Sequence, residues 1–302
     1  MFACVDMAGA KAVGAPKGSR GFIVVAVLWI VAALATLASI YALYVRETAA
    51  AFAGHNDRLE AQALALAGVE LAVYQITAIP DRRPSQGHLR FRMGAAEVIV
   101  DYRSESARID LNLAPKELLA GLFVALGAKR EDAAAYADHI AAWRSPPTPG
   151  TADAEASLYS AAGKDYGPRR GPFQHTNELA LVLGVPPTLI DRALPYLTVY
   201  SGQAEINVLD AAPEVIAALP GVTPEWLNVL LVQRDGAPQD VLRARLGPAA
   251  RYVTVQASKA NRVMVEVRFD PKRRLRSEAV VLLLDSDAEP FRVLSWRDDI
   301  DG

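Results

Sequence analysis

Residues 20–46 read RGFIVVAVLWIVAALATLASIYALYVR, and this stretch decides how the rest of the chain is read. No charged residue occurs from Phe22 to Val45. A bilayer core about 30 Å thick needs about 20 apolar residues as helix, so the run is long enough to span. Lys11, Lys17 and Arg20 precede it, and Arg46 is followed at once by Glu47. Basic flanks stay on the cytoplasmic side, which leaves the N-terminus inside and exports everything after residue 46. A secretory signal usually has an apolar core of about 7–15 residues with a small-residue cleavage site behind it. Here the run is longer, and the sharp chemical boundary lies in front of it, at Arg20-Gly21-Phe22.

The helix signal continues past the apolar run. Phe52, Leu59, Leu66 and Val73 recur every seven residues, with Val69 and Ile76 on the same stripe and Asp57, Arg58, Glu60 and Gln62 elsewhere around the helix. This spacing predicts an amphipathic helix that packs by that stripe and ends near Ile79-Pro80. From Phe22 to Ile79 it would run about 87 Å at roughly 1.5 Å per residue. Two short extended segments follow, Leu89–Met93 and Glu97–Arg103, with Gly94-Ala95-Ala96 as their turn. The tail repeats the pattern: Arg262–Phe269 alternates, Asp270-Pro271-Lys272 turns, Ala279–Leu284 returns, and Phe291–Trp296 offers a last strand. Isolated hairpins are marginal in water, so both pairs are expected in one antiparallel sheet on the helix of residues 46–79.

Between them, roughly residues 110–250, lies a helical region with a weak internal repeat. Ile109-Asp110-Leu111-Asn112-Leu113-Ala114-Pro115-Lys116-Glu117 recurs as Ile206-Asn207-Val208-Leu209-Asp210-Ala211-Ala212-Pro213-Glu214. Proline suits the first helical turn, and glutamate suits its positive dipole end. Each copy leads through a short helix to a glycine turn (Gly127, Gly221) and a second helix ending at Arg144 or Arg234. A third unit, Asn177–Leu183, Gly184 and Pro187–Leu194, has the same grammar, and a proline-rich loop at residues 145–150 interrupts the series.

Composition narrows the function. Formal net charge is −2, and residues 1–21 carry +2 of it (Lys11, Lys17 and Arg20 against Asp6), leaving −4 on the remainder. Such a chain has no electrostatic case for nucleic acid. The single cysteine, Cys4, lies ahead of the apolar run, so no disulfide staples the exported part and its stability rests on packing. His55, His88, His139 and His175 are scattered, without metal-protease, nucleophile-elbow or phosphate-loop spacing. The sequence reads as a non-enzyme.

A basic leader ending in glycine ahead of an aromatic residue and a spanning helix resembles the signal of type IV pilin-like proteins. Over almost its whole length the chain resembles the K-type minor pseudopilins of type II secretion systems. The resemblance is carried in order by Arg20-Gly21-Phe22, Ile109-Asp110-Leu111-Asn112 with Ala114-Pro115, and Ile140-Ala141-Ala142-Trp143-Arg144. It continues through Asn177-Glu178-Leu179, Leu194–Tyr200, Ile206-Asn207 with Ala212–Val215, and Val293–Trp296. It implies an α+β fold: a pilin-like long N-terminal helix on a small antiparallel sheet, with a large inserted all-helical domain of SAM-like, helix-hairpin-helix-like type. The divisions expected are a prepilin leader at 1–21, the transmembrane part of the helix at 22–45, and exported helix and first strands at 46–108. The inserted helical domain follows at 109–250 and the C-terminal strands at 251–302.

The resemblance also implies processing between Gly21 and Phe22 by a prepilin peptidase, with methylation of the new amine. It implies a single-pass inner-membrane location with a periplasmic domain, partnership with other minor pseudopilins in a tip complex, and no nucleic acid. Pilin-like subunits usually carry a glutamate at the fifth mature position, where it pairs with a neighbour's N-terminal amine; here that position is Ala26. A buried charge needs its partner, so a subunit lacking the carboxylate suits a filament end. Calcium is the one cofactor implied, through an acidic stretch after the Trp-Arg of the helical domain. Calcium takes six to eight oxygens, yet Trp143-Arg144 is followed by serine and prolines. Glu155 matches best, with Asp153 and Asp165 as further candidates. The run Lys272-Arg273-Arg274-Leu275-Arg276 reads as a solvated hairpin tip.

Two other readings stay open. One is a membrane-tethered helix-hairpin-helix DNA-binding protein of the competence type; its turns would normally read Gly-x-Gly, against Gly127-Ala-Lys, Gly184-Val-Pro and Gly221-Val-Thr here. The other, a minor subunit of a type IV pilus proper, leaves the helical insert unexplained.

Overall fold

The computed structural model describes residues 20–78, 83–147, 153–234, 246–270, 273–286 and 288–299. The chain divides between Glu60 and Ala61 into two compact units. One helix, α1 (Arg20–Thr77), runs through that division. In the first unit its apolar stretch is solvent-facing in the isolated chain, from Phe22 at 77% exposed to Val45 at 45%. Charge-free aliphatic residues all round a helix mark a segment that needs an apolar solvent.

The second unit contains two hydrophobic cores. The first lies between the end of α1 and a five-stranded sheet of β1 (Gln86–Met93), β2 (Ala96–Ser104), β7 (Ala260–Asp270), β8 (Arg273–Leu283) and β9 (Phe291–Asp299). All neighbours are antiparallel, in the order β1-β2-β7-β8-β9. The strands from the two ends of the sequence meet at β2 and β7, where Val100 faces Val265 and Val98 faces Val267. Alternation explains the pairing: Val98, Val100, Tyr102, Val263, Val265 and Val267 are buried on one face, while Asp101, Arg103 and Met264 point away from it.

The helix meets this face by part of the expected stripe, Val69, Val73 and Ile76, together with smaller residues that its large side chains do not announce. Leu59 and Leu66 are exposed, at 52% and 45%, which corrects their reading as packing residues. Burial falls on Ala61, Leu64, Ala65, Val69, Ala72, Val73 and Ile76; the side chain of Phe52 lies outside the described residues. The reason is closeness. A Cβ added at Gly68 would stand 3.0 Å from methyls of both Val100 and Val265, so small residues here let the helix axis approach the sheet while Leu64, Val69, Val73 and Ile76 fill the rest of the face. The basic run at 272–276 also reads differently in three dimensions. From Arg273 onward it is strand, with Leu275 buried, Arg273 paired to Asp270 and Arg276 to Glu266.

The second core is the helical lobe that interrupts the sheet between β2 and β7. It comprises β3 (Ile109–Asp110), α2 (Lys116–Ala125), α3 (Arg130–Arg144), α4 (Ala154–Ala161), α5 (Pro187–Ala193) and β4 (Leu197–Thr198), then β5 (Ile206–Asn207), α6 (Pro213–Ala217), α7 (Pro224–Gln233) and β6 (Val253–Thr254). The segment expected as a helix at 177–183 is a 3-10 turn, Thr176–Leu181. The repeat has a structural counterpart: β3 pairs parallel with β4, and β5 pairs parallel with β6. Arg144 at the end of α3 donates to the carbonyl of Ala114 at 2.7 Å, and Arg234 after α7 donates to that of Ala211 at 2.8 Å. Each repeat thus closes its helix pair by returning an arginine to its own entry turn. Gly127 (φ 93°) and Gly221 (φ 82°) make the turns between helices in a backbone region that side chains disfavour.

Candidate functional site

Gly21 and Phe22 lie in the first turn and a half of α1, and Ala26 follows one turn later, half-buried among larger neighbours. The segment Phe22–Thr48 is long and apolar enough to cross a membrane, with mean hydropathy 2.7 over its best window. Ala26 brings no ionisable group to it.

The entry to the helical lobe buries several polar side chains, Asp110, Thr198 and Ser201 among them. The Asp110 carboxylate accepts from the Asn112 amide at 2.8 Å, the Ser201 hydroxyl at 2.9 Å and the Gly202 amide at 3.2 Å. Burial pushes its pKa up, against these donors, which pull it down. Asn112 holds Phe173 by a reciprocal pair, its side chain accepting from the Phe173 amide at 2.7 Å and donating to the Phe173 carbonyl at 3.0 Å. The Asp110 and Asn112 side chains are therefore spent on shaping the lobe. Asn207 and Asp210 do the same in the second repeat, joined at 2.9 Å.

The calcium candidates do not converge. Asp153 caps α4 by accepting from the Ala156 amide at 2.9 Å and is ion-paired with Arg170; these contacts, the amide first, hold its carboxyl below the usual range although burial opposes them. Glu155, half-buried, pairs with His139 Nδ1 at 2.8 Å. Asp165 is exposed, two residues past the end of the α4 turn at Gly163. Among the described residues no group of three or more His, Cys, Asp or Glu could hold a metal, and the donors present do not fit the six to eight oxygens calcium takes.

The histidines have local roles. His88 pairs with Asp101 on the sheet surface at 2.8 Å, and His175 accepts from the Asn177 amide at the start of its turn; the His55 side chain lies outside the described residues. Around α3 and α4 an aromatic cluster fills the lobe: Trp143 stacks on Phe173 at 6.1 Å, and Tyr159 meets Tyr166 edge-on at 5.8 Å. The Tyr159 hydroxyl accepts from the Leu183 amide, and burial pushes its pKa up to about 12. Sequence reasoning missed the roles of Arg170 and Glu105, which act across gaps in sequence that no local motif marks.

Residues 102–202 match the family of type II secretion system (T2SS) protein K. No curated protein matches the chain. A chain of the GspK-GspI-GspJ complex from the type 2 secretion system of enterotoxigenic Escherichia coli has a similar fold. It superposes with a TM-score of 0.60 at 15% identity, covering 82% of this chain and 98% of that one.

Proposed function

We propose that this chain, a minor pseudopilin of the type II secretion protein K family, is a non-enzymatic subunit placed once, at the tip of the pseudopilus. There it would take part in starting assembly and hence in secretion across the outer membrane. The observation that carries this reading is the insertion of the whole helical lobe, Ile109 to Thr254, between two adjacent strands of one sheet. A shaft subunit repeats every contact above and below itself along a helical filament. A lobe of this bulk would have to be accommodated at each repeat, whereas at an end it need be accommodated only once. Ala26 supports the same reading, since it lacks the carboxylate that would pair with a neighbouring subunit's amine inside the apolar filament core. The solved relative stands in a complex with GspI and GspJ, so I- and J-type minor subunits are the partners proposed for this chain.

In this reading a prepilin peptidase cuts between Gly21 and Phe22, leaving α1 as a single-pass inner-membrane anchor with the lobe in the periplasm. Gly21 offers no side chain to obstruct the enzyme. Mass spectrometry of the N-terminus should find methylated Phe22 in the native chain and an intact leader in Gly21→Leu; a chain beginning at Met1, or cut behind Val45, would overturn the assignment. Affinity capture of the full chain from membranes that also contain I- and J-type subunits tests the partnership. Recovery of the major, shaft-forming subunit in excess over those two would contradict it.

A further inference from the structure

We propose that Arg170 does for this lobe the cross-linking that a divalent cation would otherwise do, so that the lobe keeps its shape without calcium. The place in question is the crossing from α3 to α4. The eight residues between Arg144 and Asp153 are Ser145, Pro146, Pro147, Thr148, Pro149, Gly150, Thr151 and Ala152, and none carries a carboxylate. A cation there would draw on backbone carbonyls at the end of α3 and on the acids opening α4. Arg170 already occupies those oxygens. Its Nη1 donates to the carbonyl of Ala142 at 2.9 Å, its Nη2 is ion-paired with Asp153, and its own amide donates to the carbonyl of Trp143 at 2.8 Å.

One guanidinium therefore ties the last turn of α3 to the cap of α4. A helix C-terminus favours a cation in any case, and a planar fork of donors suits a split set of acceptors better than a point charge does. Arg170 adopts a left-handed backbone, φ 60°, which a non-glycine residue takes only when its surroundings hold it there. That conformation turns the chain so that Phe173, three residues on, stacks on Trp143 and is gripped by Asn112. The second acid of α4, Glu155, is taken by His139 of α3. Both carboxylates near the crossing thus face nitrogen cations or donors of the lobe itself.

The test uses the full chain in detergent, stripped with a chelator, with calcium chloride as the probe. Calorimetric titration up to roughly 10⁻³ M, the weak end for extracellular calcium modules, should give no saturable heat, and Tm should be the same in chelator and in calcium. Arg170→Met keeps the backbone constraint and removes the guanidinium; it should lower Tm by about 2–4 °C. Should Arg170→Met fail to fold, Asp153→Asn, which keeps the cap acceptor and removes its charge, should show a smaller loss in the same direction. Saturable calcium binding by the native chain, or a Tm that falls on chelation, would show a metal-held lobe and overturn the proposal. An unchanged Tm in both variants would reduce the clamp to an ordinary surface pair and overturn it as well.

Discussion

Glu105 and Arg262 stand 157 residues apart in sequence and are joined by two hydrogen bonds, Nε to Oε1 at 2.7 Å and Nη2 to Oε2 at 3.1 Å. Glu105 is 1% exposed, and its carboxylate also accepts from the Thr198 hydroxyl in β4. The pair therefore links the two points where the chain leaves the sheet and returns to it, and fastens both to the lobe. Arg262 reaches Glu278 of β8 as well. Removing one partner of such a buried pair leaves a charge without compensation, a loss of about 3–5 kcal/mol. Arg262→Met should cost that much in chemical denaturation of the full chain, and Glu105→Gln with Arg262→Met together should cost clearly less than the sum of the two single changes. Additive losses would mean that the two residues act independently.

The helix face gives a second prediction. Leu64 is 4% exposed against the sheet and Leu66 is 45% exposed. Leu64→Ala should destabilise by about 2–5 kcal/mol, the usual range for a buried leucine, while Leu66→Ala should stay within about 0.5 kcal/mol of the native chain. Denaturant midpoints of the two variants measure this directly. Equal losses would place Leu66 on the packing face as well.

Acid should weaken the sheet through Glu278. Burial pushes this carboxyl up, but Arg297, Arg262 and Arg108 together hold it below its ordinary value of 4.5. A folded-state pKa below the unfolded one contributes stability that is complete above about pH 4.5 and is lost as pH falls through the folded value. Denaturant midpoints should therefore fall below pH 4.5, and Glu278→Gln should flatten that fall while lowering stability at neutral pH. A variant with an undiminished acid fall would place the effect on other carboxylates.

The strands were legible because each alternates: Val98-Ile99-Val100-Asp101-Tyr102 and Val263-Met264-Val265-Glu266-Val267 bury every second residue, and the two meet in register. The packing face of α1 was legible only in part: Val69, Val73 and Ile76 are buried as expected, but Ala61, Ala65, Gly68 and Ala72 beside them carry a weak hydrophobic signal that exposed leucines nearby drown. The start of β8 was masked by its charges, since Arg273, Arg274 and Arg276 read as a solvated tip unless their partners Asp270 and Glu266 are in view. In the lobe, the Ala-Pro openings with a glutamate in the first turn (Ala114-Pro115-Lys116-Glu117, Ala212-Pro213-Glu214) and the glycine turns announced the helices. The arginines that close them, and Arg170, reach oxygens 17 to 33 residues away, a relation that only folding creates.

The tip assignment is the central claim, and placement along the filament tests it most directly. Gold labelling of an epitope on the helical lobe, in pseudopili assembled from the complete set of subunits, should put one label at one end of each filament. Loss of the chain should reduce the number of filaments more than their length. Label recurring at regular intervals along the shaft, or long homopolymers formed by this chain alone, would contradict the account.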